Sequence, residues 1–388
     1  MVVTGKADKR AKLLFVLPNF AGGGAERVAL TLLAEIDRQR FAPHLAVLSA
    51  SGPLRGLVAN DVQLHELGEG RLRRALPKLI GLVRHLNPSV VFATQGYLNM
   101  ALLAARPLLP RETRLALRES NTPSQSLPNR RYARLMAWAY RLLYPRTDLL
   151  FCQHRLTERE MRDRFGVPAD KIVSLPNPVP LENLRAAAAR PRRDAGPGLR
   201  FVAAGRLHRQ KGFDRLIGSF PALPADCRLT VYGEGPDRAV LEAQISALAL
   251  QDRVTLAGFS DTLPAALAGA DACVIPSRWE GLPNVALEAL ACGTPVIATP
   301  ESGGIAELAE AAPEAVTLAG FSENEPTSFI AAMQGCSARQ EIGLRSSLLP
   351  AAYDATAVRN RFENALLTLV SDARPLHKNV SLGYKRRP

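Results

Sequence analysis

Apolar residues along the chain fall into two kinds of run. Short unbroken blocks, such as Leu13-Leu14-Phe15-Val16-Leu17, predict buried strands. Longer stretches with apolar residues three and four apart predict helices. On this reading strands run over Lys12–Pro18, His44–Ser49, Ser89–Ala93, Leu115–Arg118, Leu149–Gln153 and Lys171–Leu175. Helices alternate with them: from a glycine-rich turn through Arg38, then over Arg71–Leu86, Leu98–Arg106, Arg130–Tyr144 and Thr157–Phe165. Asn87-Pro88 stops the second of these, because the residue before a proline is pushed out of the helical region. Regular alternation of strand and helix implies parallel pairing in an open α/β sheet.

The pattern breaks at Pro176-Asn177-Pro178, an Ala-rich stretch and Arg190–Gly198, where proline, glycine and charge follow one another without apolar period. It then restarts. Strands are predicted at Leu199–Ala204, Arg228–Tyr232, Val254–Ala257, Ala272–Pro276 and Pro295–Ala298. The helices between them are predicted around Phe213–Phe220 and over Asp237–Leu248, Leu263–Ala268 and Asn284–Ala291. The chain therefore reads as two α/β domains in tandem. Ligands of open α/β sheets bind beyond the carboxyl ends of the strands, so the cleft between the domains is the expected site.

Composition alters this picture little. The hydrophobic and charged fractions, 47% and 22%, are those of an ordinary soluble domain. No apolar run approaches the ~18 residues of a membrane-spanning helix. Met1 to Lys12 carries four basic residues and no apolar stretch ahead of the first strand, so no secretory leader is expected. Cys152, Cys227, Cys273, Cys292 and Cys336 are too scattered for a disulfide framework or zinc site and fit a reducing cytosol. Charge is more informative. Residues 1–199 hold 31 Lys and Arg against 16 Asp and Glu, a net +15; residues 200–388 hold 18 against 20, a net −2. That asymmetry fits either a solvated basic face or an anionic partner: a membrane surface, an anionic substrate or a nucleic acid. No zinc finger, aromatic RNA-binding signature or recognition-helix pattern supports the last.

The most informative segment is Ser277–Ile297. It leaves a predicted strand, turns, and enters a helix with Pro283 near its first position, where proline is well tolerated. The helix start points free N–H groups at the strand's carboxyl end and forms an anion site, to which Gly281, Leu282, Asn284 and Val285 contribute. Glu280 lies in the turn ahead of it and Glu288 about a turn inside. A carboxylate cannot ligate a phosphate, so both acids would accept hydrogen bonds from hydroxyls on either side of one. A nucleotide sugar has that form. Read without the rest of the chain, the same two acids are also what a dipole-compensating Glu and an exposed Glu would look like.

Glu280 and Glu288, followed by Ala-Leu-Ala-Cys-Gly-Thr-Pro-Val-Ile, resemble the glutamate pair of retaining glycosyltransferases of family 4, whose two Rossmann-like domains face each other in the GT-B fold. The resemblance implies that Glu280 meets the donor sugar and Glu288 the ribose. Gly205-Arg206-Leu207-His208-Arg209-Gln210-Lys211-Gly212 is similar to the family's G-R-L…K-G segment, which implies that Arg206 and Lys211 grip the donor diphosphate. Such cations suit the chemistry, since the leaving group is a dianion whose charge grows as its bond to the sugar breaks. Tyr232-Gly233-Glu234-Gly235-Pro236 resembles the loop beside the nucleotide, and Gly258-Phe259 the segment whose backbone meets the base. Thr299–Leu308, with Gly303, Gly304 and Glu307, resembles the loop after the last core strand.

In the first domain, Gly22-Gly23-Gly24-Ala25-Glu26-Arg27 lacks the Lys-Ser/Thr of a P-loop and the full spacing of a dinucleotide fingerprint. It resembles the cleft loop of the family 4 subset that builds bacterial surface glycans on lipid carriers. Many relatives carry an acceptor-side His or Asp near the end of the strand that corresponds to Leu115–Arg118. This chain has no His between His85 and His154, so Glu119 becomes the candidate acceptor base, with Asn121 orienting it; a strand-end pair of Arg118 with Glu119 is the alternative. Leu127–Arg146 places Arg130, Arg131, Arg134, Arg141 and Arg146 beside Leu135, Trp138, Tyr140, Leu142 and Tyr144, a composition suited to an anionic membrane interface or to a core-packed helix with a solvated basic face. No Asp-x-Asp occurs, so no metal or other cofactor is expected.

The expected organisation is a mobile basic tail at 1–11, an acceptor-side domain at 12–180, a linker at 181–198, a donor domain at 199–356, a helix at 357–372 returning to the first domain, and a second mobile basic tail at 373–388. The resemblance spans residues 12–372. It implies a cytoplasmic enzyme, peripheral at the inner face of the membrane, that transfers a hexosyl or N-acetylhexosaminyl group from a UDP-sugar to a lipid-linked glycan. A sugar-nucleotide epimerase or hydrolase on the same architecture, and a non-catalytic nucleotide-sugar-binding protein, remain the alternatives.

Overall fold

The computed structural model describes residues 10–21, 23–128, 132–191, 197–301, 303–321, 327–338 and 343–371. Gly22, Arg130, Arg131, much of both expected tails and residues 192–196 of the expected linker lie outside them. The first sheet contains β1 (Ala11–Leu17), β2 (Phe41–Val47), β3 (Gln63–Glu66), β4 (Val90–Ala93), β5 (Arg114–Glu119), β6 (Leu149–Cys152) and β7 (Ile172–Ser174) in the order β3-β2-β1-β4-β5-β6-β7. The second contains β8 (Arg200–Ala204), β9 (Arg228–Tyr232), β10 (Val254–Gly258), β11 (Ala272–Ile275), β12 (Val296–Ala298) and β13 (Val316–Leu318) in the order β10-β9-β8-β11-β12-β13. The strands within each sheet pair in parallel.

Parallel strands covered by helices on both faces must be apolar on both, which is why the central blocks read as unbroken runs. In the first domain Phe15, Phe92 and Phe151 fill one face. Leu14, Val16, Val91, Leu117 and Leu150 fill the other, against Leu79, Val83 and Leu102. The edge strands β3 and β13 carried no such block and were not legible from periodicity. Each is short, and most of its residues are partly or fully exposed.

The helix expected from Arg130 to Tyr144 runs from Ala133 to Leu143. The stretch expected to be linker begins as a helix, Leu181–Ala187, whose Arg185 donates to the carbonyls of Ala291 and Arg345 at 2.8 and 3.0 Å. It packs on the second domain, as the small, apolar Ala-rich sequence permits.

Strand order reverses between β1 and β4 in one sheet and between β8 and β11 in the other. At such a reversal the outgoing loops diverge and leave a crevice. The Gly23-Gly24 loop leaves β1 and the Gly205–Gly212 loop leaves β8, so both glycine loops line the two crevices that face each other. The chain crosses back once more: Val179 and Asp354 form a parallel bridge, and the helix Ala355–Ser371 then lays Phe362 against Phe92 at 5.0 Å, Phe151 at 5.2 Å and Phe15 at 6.1 Å between ring centres.

Candidate active site in the interdomain cleft

On the second domain the loops leaving β8, β9 and β11 touch through bare backbone. Gly233 has φ +126°, and a Cβ there would lie 2.0 Å from the Gly205 carbonyl oxygen. Gly212 has φ +69°, and a Cβ there would lie 2.0 Å from the carbonyl oxygen of Pro276. Only glycine fits these two positions. Arg215 fastens the same loops, donating to the carbonyls of Pro276 and Ser277 at 2.7 Å each, while Arg278 grips both oxygens of Asp214 at 2.7 Å.

On this platform the residues singled out in the sequence converge. Lys211 donates to Glu280 Oε2 at 2.7 Å, its stem lying against Gly205, and Ser277 Oγ donates to Glu280 Oε1. Both charges are largely withdrawn from water, so each is the other's main compensation. Arg206 is exposed and bonds to no described residue. Pro283 precedes the helix Asn284–Ala291, whose start opens at the carboxyl end of β11. Burial raises the carboxyl pKa of Glu288, and the charge of Arg27 across the cleft partly offsets this. Gly258 ends β10 with φ +72°, and Phe259 beside it is largely exposed. A cavity of about 310 Å³ runs along the face of β8, β9 and β10, lined by Arg200, Thr230 and Thr262 among others; it does not reach these loops.

The first domain closes the site from the other side. Gly281 lies where a Cβ would come 2.1 Å from Gln153 Nε2 and 2.9 Å from the Ser120 carbonyl oxygen. Asn177 donates to the Leu282 carbonyl at 3.0 Å and to Asn284 Oδ1 at 2.6 Å, and accepts from Arg118. This strut from β5 to the helix Asn284–Ala291 was not anticipated; the Pro-Asn-Pro sequence marked only a boundary. Gly24 lies where a Cβ would be 3.3 Å from Asn284 Nδ2, so the glycine loop meets the same helix start. His154 caps the helix Arg155–Asp163, and burial holds its pKa down to about 4.

Glu119 does not occupy the place expected of an acceptor base. It is 2% exposed and accepts from the hydroxyls of Tyr144 and Tyr140, and the backbone amides of Ser120 and Asn121 also point to it. Burial drives its pKa up to about 7 against the pull of those donors. Nor does it pair with Arg118, which turns to Asn177 because neighbouring side chains on a strand face opposite ways. Tyr140 and Tyr144, expected among the interface aromatics, are therefore internal. The opposite face of their helix is bare: Leu135, Trp138 and Leu142 are 62%, 61% and 43% exposed, with Arg134, Arg141 and Arg146 exposed beside them.

Comparison with known proteins agrees with this architecture. Residues 22–183 match the model of Glycosyltransferase Family 4 and residues 198–338 that of Glycosyl transferases group 1, together more than three quarters of the chain. A curated relative from Campylobacter jejuni, the N-acetylgalactosamine-N,N'-diacetylbacillosaminyl-diphospho-undecaprenol 4-alpha-N-acetylgalactosaminyltransferase, is 28% identical over 76% of this chain and 83% of its own length. A GDP-mannose-dependent phosphatidylinositol dimannoside mannosyltransferase of Mycobacterium tuberculosis is 32% identical over 45% of this chain and 46% of its own. Among solved structures, HepE of Anabaena in complex with UDP superposes with a TM-score of 0.69 over 92% of this chain and all of its own, at 18% identity. WaaG, a lipopolysaccharide glycosyltransferase, gives 0.63 over 93% and 96%, at 15% identity. With both halves matched in order and the two facing parallel sheets in place, the chain belongs to the family 4 glycosyltransferases of GT-B fold.

Proposed function

We propose that the chain transfers a sugar, with retention of anomeric configuration, from a UDP-sugar to a hydroxyl of a lipid-linked glycan. The observation that carries this is the pairing of Lys211 with Glu280 ahead of one helix start at the carboxyl end of β11, with Glu288 on that helix and the exposed Arg206 on the same loop as Lys211. The diphosphate would lie on that helix start, with Arg206 and Lys211 as counter-charges. Lys211 then exchanges part of its bond to Glu280 for the incoming phosphate, and Glu280 is left to accept from sugar hydroxyls. The bond from the anomeric carbon to the phosphate oxygen breaks, and its electron pair goes to that oxygen. The acceptor oxygen bonds to the anomeric carbon on the same face, and its proton passes to the departing phosphate. Fixed cations lower this barrier because they favour the charge that appears as the bond breaks.

The choice of a lipid-linked acceptor draws on the Campylobacter relative, whose name specifies a diphospho-undecaprenol acceptor. It also draws on the bare face of the helix Ala133–Leu143. Among the described residues no helix is long and apolar enough to cross a membrane. A helix laying Leu135, Trp138 and Leu142 into an anionic leaflet, with arginines at the headgroups, would hold the protein at the surface.

Two measurements test the reading. A thermal-shift panel of nucleotide sugars should show stabilisation by UDP-sugars, since a ligand of the folded state raises stability by mass action; no shift with any of them refutes the donor. Vesicles with anionic lipid should bind the protein at low salt and release it at high salt. Trp138→Ser with Leu135→Ser should reduce that binding and leave UDP binding unchanged. Indifference of the wild-type protein to anionic vesicles would remove the membrane from the account.

A further inference from the structure

Glu26 belongs to the first turn of the helix Gly24–Glu35, immediately after the loop that leaves β1, and Gln95 follows β4 on the other side of the same crevice. Gln95 Nε2 donates to Glu26 Oε1 at 2.6 Å. The second oxygen, Oε2, curls over Gly23, where a Cβ would lie only 2.3 Å from it. No described residue donates to Oε2, although Glu26 is only 7% exposed. It is also absent from the enclosed polar atoms that lack partners, so it keeps an opening to the crevice.

A carboxylate in a first helical turn gains from the helix dipole. That gain requires neither a side-chain amide to hold one oxygen nor a bare glycine beneath the other. A carboxylate with one oxygen held and the other free in a cleft is a fixed hydrogen-bond acceptor. Its natural partner is a hydroxyl. The donor's phosphates are excluded by charge, and in the proposed function its hydroxyls are assigned to Glu280 and Glu288 in the second domain. Gly24, two residues before Glu26, touches the start of the donor helix at Asn284, so a hydroxyl bound at Oε2 would belong to a molecule meeting the donor across the cleft.

We infer that Glu26 Oε2 binds a non-reacting hydroxyl of the acceptor glycan, with Gln95 as the residue that positions the carboxylate and Gly23 as the residue that leaves room for it. This rests on the glycosyltransferase reading above. It places acceptor recognition on the glycine loop and not at Glu119. Glu26 takes no proton; the attacking hydroxyl, a different one, loses its proton to the phosphate.

The test uses the full chain, a UDP-sugar identified by the thermal-shift panel, and a polyprenyl-diphosphate-linked N-acetylhexosamine oligosaccharide as acceptor. Glu26→Ala and Glu26→Gln should raise the acceptor KM roughly ten- to a hundredfold, the range of one hydrogen bond to a charged group. At saturating acceptor, kcat should stay close to wild type, as should the UDP dissociation constant and the slow hydrolysis of the donor by water. Gly23→Ala keeps the charge but displaces the carboxylate, and should raise KM in the same way. Gln95→Ala should do so to a smaller extent. Variants with unchanged acceptor KM and intact UDP binding would reduce Glu26 to a helix-terminal charge. Loss of UDP binding in Glu26→Ala would move it to the donor site and overturn the inference. Wild-type protein that binds UDP but ignores the acceptor overturns the lipid-linked reading and this inference together, an outcome distinguishable because it appears before any substitution is made.

Discussion

Replacing Glu119 with Gln removes one titratable group from an enclosed site while keeping its shape. Burial raises the Glu119 carboxyl from 4.5 to about 7, overcoming four donors that favour its ionised form. The unfolded chain therefore loses this proton near 4.5 and the folded chain near 7. The folded state binds the proton more tightly, so the associated stability is complete below the unfolded value and is lost as pH rises through the folded one. At 1.36 kcal/mol per unit, the loss amounts to about 3 kcal/mol. His154 runs the other way over an overlapping range: burial lowers it from 6.5 to about 4, so its contribution is lost as pH falls. It is present in both proteins and cancels in their difference. Urea unfolding of wild type and Glu119→Gln, from about pH 4.5 to about pH 8, should show the wild-type advantage shrinking by about 3 kcal/mol. Parallel stability curves would mean that the carboxylate stays ionised throughout, held by Tyr140, Tyr144 and the two amides.

Lys211→Ala and Arg206→Ala should each leave the fold intact and slow transfer by about 10²–10³, measured as UDP release with acceptor present; near-normal rates in both would remove the charge scheme. Glu288→Gln should weaken binding of bare UDP, and Glu280→Gln should spare it and impair transfer; calorimetry giving the reverse order would exchange their roles. Activity should persist in excess chelator, since the scheme places Arg206, Lys211 and a helix start where other transferases place a divalent ion; complete loss restored by magnesium would contradict it.

Unbroken apolar blocks revealed the central strands because a strand covered on both faces has no polar alternation to lose. β3 and β13, at the sheet edges, had nothing comparable to show. The pairing of the Lys211 loop with the Glu280 turn was legible because a strand, a turn and a helix start bring these residues together over short stretches of chain, Gly205–Gly212 and Glu280–Glu288. The first-domain side of the cleft was harder. Asn177, Gln153 and Gln95 meet their partners only through the fold, and an isolated amide side chain in a loop carries no local signature. Glu119 misled for a related reason: its position at a strand end was readable, but the two tyrosines that enclose it come from a separate helix whose inward face the sequence alone did not distinguish from its outward one.

The return of the helix Ala355–Ser371 bears on how the molecule is made. Phe362 completes the aromatic cluster of Phe15, Phe92 and Phe151, so the first domain lacks part of its own interior until residues 355–371 have been synthesised. During that interval an apolar groove stays open to chaperones or to a neighbouring nascent chain. The second domain is free of this dependence, since Phe329, Met333 and Tyr353, which complete its core, all precede that helix. A polypeptide stopped short of residue 355 would thus retain the second-domain platform while leaving the first domain unfinished.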